Sequence, residues 1–335
     1  MTGRVTTEVR VAGHVPGIDS VIYAEFSPDG TELLVTPGPT SNGDITLWRL
    51  DGRNARLIRT FSGLSATPVP DDYGGFWNAP WATFSPDGKW IAGVDRRENG
   101  TSRMIEWDAA TGSERAAPLD LPWKSTAVGG LHFDGLNQNV VYSPDGSLIA
   151  TSVLGDRTVI VDARTLKPVR TLHDPKGVAF VAFSPTNDRL LAEGSSNVGI
   201  VRLWNVTTGK QLAEVPASNP GLWSVQFDPS GSMLLTDSSD GVARLWSVPD
   251  LQQIGTDIPG FSGAVGAATF AGQGSSTVAV LLYATGLMFA YAASPSVWER
   301  QACLVAGRNF TKAEWARYVG DRPYEDVCPQ YPPGS

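Results

Sequence analysis

The chain has 335 residues, among them 36 Gly and 24 Pro, and that share of turn formers, about 18% against a usual ~12%, excludes a long-helix or coiled-coil protein. Hydrophobic residues make up 41%, with 11 Trp and 12 Phe, which is ample for a core and too much for a disordered chain. Against 26 basic residues stand 34 acidic ones, for a net charge of −8, so no basic face is available to displace the counterions of a nucleic acid.

The N-terminus, MTGRVTTEVRVAGH, lacks the basic stretch and following apolar run of a secretory signal, and a cytoplasmic protein is expected. From residue 26 a turn signature recurs: FSPDG at 26–30, FSPDG at 84–88 and YSPDG at 142–146. It continues as FSPTN at 183–187, FDPSG at 227–231 and FAGQG at 270–274. The leading aromatics are spaced 58, 58, 41, 44 and 43 residues apart, which is one supersecondary unit repeated six times.

Each unit has alternating apolar residues before the turn and a β-branched or Leu-rich run after it (ELLVT, WIAGV, LIATS, LLAE, MLLT). A second turn leads to a strand ending near an aromatic: ITLWRL, MIEWDAATG, VIVDARTLK, VRLWNVTTGK, ARLWSVPD. Four short strands per unit read as an antiparallel blade. Blades set around an axis leave only short, protected edges, so the expected fold is an all-β propeller of six four-stranded blades, with seven as the alternative.

VRLWNVTTGK, IEWDAATG and the Gly13-His14 pair resemble WD-repeat proteins, over residues 3 to about 292. The resemblance implies a structural hydrogen-bond network, fullest in the first blade, in which His14 bonds Asn42 or Asp44 while Thr36 and Trp48 complete the chain. His173 with Asn197 and Trp204 is a partial copy, and Val161 replaces the expected Trp in the third repeat. These histidines read as satisfied buried groups rather than catalytic ones. Thr-Gly follows two of the Trp-type strands, at 111–112 and 208–209, and Thr2-Gly3 stands in the same phase. Residues 5–11 are therefore expected to supply the outer strand of the last blade. That phase also fits the tail piece of a longer repeat array.

Two repeats carry about 15 extra residues before their first strand. The inserts, 62–80 and 119–138, hold Asp71, Asp72, Tyr73, Phe76, Trp77, Trp123, His132 and Phe133, with Asp134 beside them. Adjacent blades place both inserts on one face, next to the long turn at 37–43. Aromatics with a few charges suit a protein- or peptide-binding patch, since loops on a rigid scaffold carry function and Trp and Tyr dominate interface energetics. The alternative is that the two loops pack on each other and plug the axis.

Residues 258–298 contain no Asp, Glu, Lys or Arg, so this last blade is expected to be covered by the C-terminal tail or by another domain or subunit. Within it, residues 277–293 are too short for a bilayer span and read as two strands and a turn, so no membrane contact is expected. Residues 294–335 form a separate tail after the propeller of 1–293. Ser296 with Glu299, and Thr311 with Glu314, make capping boxes, and Gly307 and Gly320 stop the two helices. The tail is similar to the terminal segment of WD-repeat proteins of actinomycete-type bacteria. There the propeller often ends a STAND-type NTPase, a transcriptional regulator or a protein kinase. Cys303 and Cys328 either form a disulfide, stabilising by about 3 kcal/mol, or remain two buried thiols in a reducing cytoplasm. Two Cys with no nearby His do not make a zinc site.

Phosphate-loop, nucleophile-elbow and His-Glu-x-x-His patterns are absent, and three His leave little for acid–base work. Asn-x-Thr triplets at Asn99, Asn205 and Asn309 are read as chance. The sequence therefore points to a non-catalytic scaffold or sensor that binds a protein or peptide, without cofactor or metal. A metal-assisted hydrolase or lactonase with carboxylates in the central channel is the alternative.

Overall fold

A computed structural model describes residues 21–37, 44–51, 54–64, 80–97, 101–121, 139–153, 156–174, 176–178, 180–195, 198–219, 221–238, 240–259, 265–271, 277–282, 288–292 and 295–334. By contacts the chain divides into two compact units, 1–259 and 260–335.

The first unit holds five antiparallel sheets, each of four consecutive strands in chain order. They are β1 (Val21–Phe26) to β4 (Asn54–Phe61) through β2 (Glu32–Pro37) and β3 (Ile45–Asp51); then β5 (Trp81–Phe84), β6 (Trp90–Arg96), β7 (Ser102–Asp108) and β8 (Leu119–Leu121). The third sheet is β9 (Val140–Tyr142), β10 (Leu148–Val153), β11 (Arg157–Asp162) and β12 (Lys167–His173). The fourth is β13 (Phe180–Ser184), β14 (Asn187–Gly194), β15 (Ile200–Asn205) and β16 (Lys210–Pro216). The fifth is β17 (Leu222–Phe227), β18 (Met233–Ser238), β19 (Val242–Ser247) and β20 (Gln253–Pro259).

The recurring turn explains why the units fold alike. Ser27 Oγ accepts the Glu32 N–H at 2.9 Å and donates to Asp29 at 2.6 Å, while Asp29 accepts the Thr31 N–H at 3.0 Å. Those donors, Ser27 first, hold the Asp29 carboxyl down at about 2. Ser85 with Asp87 and Ser143 with Asp145 repeat the pattern. In the fifth sheet Asp228 replaces the serine and takes the Met233 N–H at 2.7 Å. The glycine closing each of these turns has φ near +70° (Gly30 73°, Gly88 69°, Gly146 70°, Gly231 71°), where a side chain is disfavoured.

The aromatic just before the turn does the packing. Phe84 lies among Leu34, Ile45 and Phe61 of the first sheet, and Tyr142 among Met104 and Leu121 of the second. Phe183 lies with Ile160 and Leu172 of the third, and Phe227 with Leu190 and Leu203 of the fourth. The core of this unit is thus a series of layers between successive sheets, each aromatic contributing about 2 kcal/mol by burial. First strands of neighbouring sheets contact one another, β1 with β5, β5 with β9, β9 with β13 and β13 with β17, so the first strand of each sheet is innermost. The outermost strands β4, β12 and β16 each carry a register shift opposite Leu47/Trp48, Ile160/Val161 and Leu203/Trp204. Such bulges blunt an exposed edge against pairing with another chain.

The second unit has a three-stranded sheet of β21 (Val265–Ala271), β22 (Thr277–Leu282) and β23 (Met288–Ala292), then helices α1 (Pro295–Ala306) and α2 (Lys312–Tyr318). The described residues therefore show five complete four-stranded blades, where six or seven were expected. The sixth turn signature yields a sheet one strand short. A fourth strand cannot come from the C-terminal side, because α1 begins three residues after β23 ends. The closing strand expected at residues 5–11 lies outside the described residues.

In the tail, Thr311 Oγ1 accepts the Glu314 N–H at 3.1 Å and Glu314 returns a bond from the Thr311 N–H at 2.9 Å. Gly307, at φ 65°, ends α1 with its N–H on the Cys303 carbonyl at 2.9 Å. Cys303 and Cys328 are joined by a disulfide, with Cα atoms 5.5 Å apart. Asn309, buried, donates to the carbonyls of Cys328, Tyr331 and Pro332 and accepts the Cys328 N–H at 2.8 Å. Its amide is fully used in folding the last loop, so the Asn309 triplet cannot carry a glycan. Among the described residues no helix is long and apolar enough to cross a membrane.

Candidate functional site

The insert residues Asp71, Asp72, Tyr73, Phe76, Trp77, Trp123, His132 and Phe133 lie outside the described residues. What the structure describes is the surface they lead into, since the first insert runs into β5 and the second into β9. The residue three positions before the turn aromatic occupies the same register on each innermost strand. It is Tyr23 opposite Thr36, Trp81 opposite Val94 and Phe180 opposite Gly194, with Ser224 opposite Asp237 in the fifth sheet. Asn139 holds the place in the third sheet, where its carbonyl accepts the Ser152 N–H. In the fifth sheet a register shift between Leu222 and Ser224 turns out Trp223, which is 41% exposed.

Tyr23 and Trp81 stack with ring centroids 4.3 Å apart and planes 28° from parallel. Asn139 clamps the neighbouring strand, donating to the Val181 carbonyl at 2.7 Å and accepting its N–H at 3.0 Å. Three aromatics and an aromatic on a bulge therefore stand at one level, at the end where both inserts enter. The sequence holds the signal for them, an aromatic three residues ahead of FSPDG in VIYAEF and WATF, but alternation alone does not separate it from core.

Below Tyr23, Glu25 reaches the Thr83 hydroxyl at 3.2 Å. Burial pushes its carboxyl up to about 7, against the Thr83 and Phe84 donors, and burial with Glu25 nearby holds the Tyr23 hydroxyl above its usual range. Ser224 donates to Asp237 in the fifth sheet. Among the described residues no three His, Cys, Asp or Glu group as metal ligands.

The network expected around the tryptophans differs from blade to blade. Trp246 in the fifth sheet donates its indole N–H to Thr236, on the adjacent strand, at 3.0 Å. Trp48 donates to Thr46 at 2.9 Å, not to Thr36, whose buried hydroxyl has no partner among the described residues. The register explains the correction, because Thr46 sits opposite Val35, the slot that Thr236 fills in the fifth sheet. In the second sheet the slot is Gly93, where a Cβ would come within 2.7 Å of the Trp107 ring, so the ring takes the space itself. In the fourth sheet it is Glu193. His14, Asn42 and Asn197 lie outside the described residues. His173 is not in a network with Trp204: it ends β12 of the third sheet, with an exposed side chain 3.3 Å from Asp156.

Residues 209–247 match the family model for the WD domain, G-beta repeat. The match runs from the outer strand of the fourth sheet to the Trp strand of the fifth, so one sequence repeat straddles two sheets. THO complex subunit 3 of Arabidopsis thaliana is 26% identical over 121 residues, 36% of this chain and 38% of that one. WD repeat-containing protein AAC3 of Dictyostelium discoideum is 23% identical over 164 residues, 48% of this chain and 32% of that one. The chain thus spans well under half the length of these relatives. They are eukaryotic, and they do not show the resemblance of the tail to bacterial proteins. A chain in the crystal structure of the mitotic checkpoint complex superposes with a TM-score of 0.61 over 82% of this chain and 74% of that one, at 18% identity. The fold is thus that of a β-propeller, and residues 209–247 match the WD repeat.

Proposed function

We propose that this WD-repeat propeller is a non-catalytic scaffold or sensor that binds a protein or peptide at the end of the innermost strands where the two inserts enter. The observation that carries the reading is the level of Tyr23, Trp81, Phe180 and Trp223, with Trp223 41% exposed and the first pair stacked at 4.3 Å. Large, rigid, partly exposed aromatics are the side chains that contribute most at binding hot spots. The insert residues Tyr73, Phe76, Trp77, Trp123, His132 and Phe133, with Asp71 and Asp72, extend that surface in this reading. A relative that is named as a complex subunit supports a protein partner. By resemblance of the tail, the setting is a bacterial signalling or regulatory system, with the uncharged stretch 258–298 covered by a further domain or subunit.

Affinity capture from the native host tests this with Trp223→Ala, Trp77→Ala and Trp123→Ala beside the wild type. Each variant is first checked for unchanged thermal unfolding. Loss of one and the same captured protein from all three supports the site, and Leu212→Ser on outer strand β16 should keep it. Capture that survives all three substitutions overturns the site.

A further inference from the structure

The fourth sheet breaks a rule that the fifth keeps. Trp204 stands opposite Leu191, as Trp246 stands opposite Leu234, yet the slot beside it holds Glu193 in place of threonine. Glu193 is 1% exposed. Neither of its carboxylate oxygens has a hydrogen-bond partner among the described residues, and the Trp204 indole N–H and the Thr158 hydroxyl also lack one. Thr158 comes from β11 of the third sheet and is fully buried. A carboxyl, an indole N–H and a hydroxyl thus face one another at the boundary between the third and fourth sheets with no well-formed hydrogen bond and no cation among them, beside the apolar cluster of Ile160, Phe183, Leu191 and Trp204.

The charged groups around this point are committed elsewhere. Arg202 on β15 lies directly across from Glu193, but its guanidinium binds Asp174, and Glu214 of β16 at 2.8 Å. Lys176 binds Glu214 at 2.9 Å. At the start of β11, Asp156 pairs with Arg157 at 3.5 Å and with His173 of β12 at 3.3 Å. β13 faces Glu193 with Val181.

We propose that Glu193 is a proton-operated joint between the third and fourth sheets: as the neutral acid it keeps the boundary closed, and when it ionises the boundary loosens. A buried carboxylate without a paired cation costs several kcal/mol and must find water or a counter-charge. Here it must admit water between the sheets or pull Arg202 from Asp174 and Glu214. Burial raises the Glu193 carboxyl to about 7, against the Thr158 hydroxyl and the Trp204 indole N–H that face it. The raised value means that the stabilising contribution is complete below the ordinary glutamate range and is lost as pH rises through about 7.

Urea unfolding of the full chain at pH 5 to 8 tests the joint, with Glu193→Gln as the neutral form that cannot ionise. In the wild type the unfolding constant should rise on the order of a hundredfold more over this range than in Glu193→Gln. Hydrogen exchange of amides in β11 and β14, corrected by that variant, should quicken with pH only in the wild type. Glu25→Gln, which removes a raised glutamate away from this boundary, should leave the β11 and β14 exchange profile unchanged. Should Glu193→Gln not fold, Glu193→Thr copies Thr236 of the fifth sheet and serves in its place. Equal pH dependence of wild type and variant, or exchange that quickens equally in every sheet, overturns the proposal.

Discussion

Two glutamates are buried at successive sheet boundaries, and they are treated in opposite ways. Glu106, between the second and third sheets, accepts the Tyr142 hydroxyl at 2.6 Å and the Arg115 guanidinium at 3.2 Å. Arg115 itself lies 4.1 Å over the Trp90 ring. Glu193, one boundary further on, has no such donor or cation. Burial raises both carboxyls; at Glu106 the Tyr142 hydroxyl and the Arg115 cation work against it, at Glu193 only the neutral Thr158 and Trp204 groups. The difference teaches that the repeat fixes where a side chain points, while its cost depends on what the next sheet sends across to meet it. Partners at both ends make a buried acid structural; their absence makes it a pH-dependent weakness.

Substitutions can turn one boundary into the other. Arg115→Ala should have the largest effect, a loss of about 3 kcal/mol in urea unfolding, because it strands a buried carboxylate and removes the cation over Trp90. It should also give the second boundary the pH dependence proposed for the third. With its cation gone the Glu106 carboxyl rises further, so stability present at low pH is lost as pH climbs toward neutral. Stability equal at pH 5 and 8 would show that Arg115 is not the balancing charge. Tyr142→Phe keeps the ring in its layer and removes only the hydroxyl, for about 2 kcal/mol, the usual cost of a hydrogen bond to a charged group. A loss as large as that of Arg115→Ala would mean that the hydroxyl, not the cation, holds Glu106. Thr236→Val, at the slot equivalent to Glu193, should cost about 1 kcal/mol by leaving the Trp246 N–H without its acceptor.

Much of this architecture was legible in the residues. FSPDG at 26 and 84 and YSPDG at 142 announce the turns because each residue has one job: Ser and Asp tie the backbone and Gly takes the positive φ. The apolar alternation before it gives the strands, and Thr311 with Glu314 gives the second helix. Partner choice within a boundary was not legible. Thr36 and Thr46 are equally plausible neighbours of Trp48 until register decides for Thr46. His173 looked like a network member until β12 carried it to an exposed edge. The level of Tyr23, Trp81 and Phe180 was hidden for a similar reason, since an aromatic on an alternating strand reads as core until the sheet shows which end it occupies. The insert residues Trp77 and Trp123 stand out by composition and length, signals that name a loop but not its contacts.

The smallest effect gives the sharpest comparison, because it repeats the Thr236→Val substitution at a hydroxyl that is buried but unpaired. Thr158 is fully buried and its hydroxyl has no partner among the described residues. Replacing it with an apolar group of the same shape removes an unsatisfied polar atom and opens no cavity, so at pH 5 Thr158→Val should unfold within about 0.5 kcal/mol of the wild type. The hydroxyl does lower the Glu193 carboxyl by its nearness. Without it that group should ionise at higher pH, and the loss of stability should extend further above neutral. Urea midpoints at pH 5, 7 and 9 separate the two effects. A cost at pH 5 matching that of Thr236→Val would show that Thr158 already holds a bond across the boundary, and that the third and fourth sheets are joined there as firmly as the second and third.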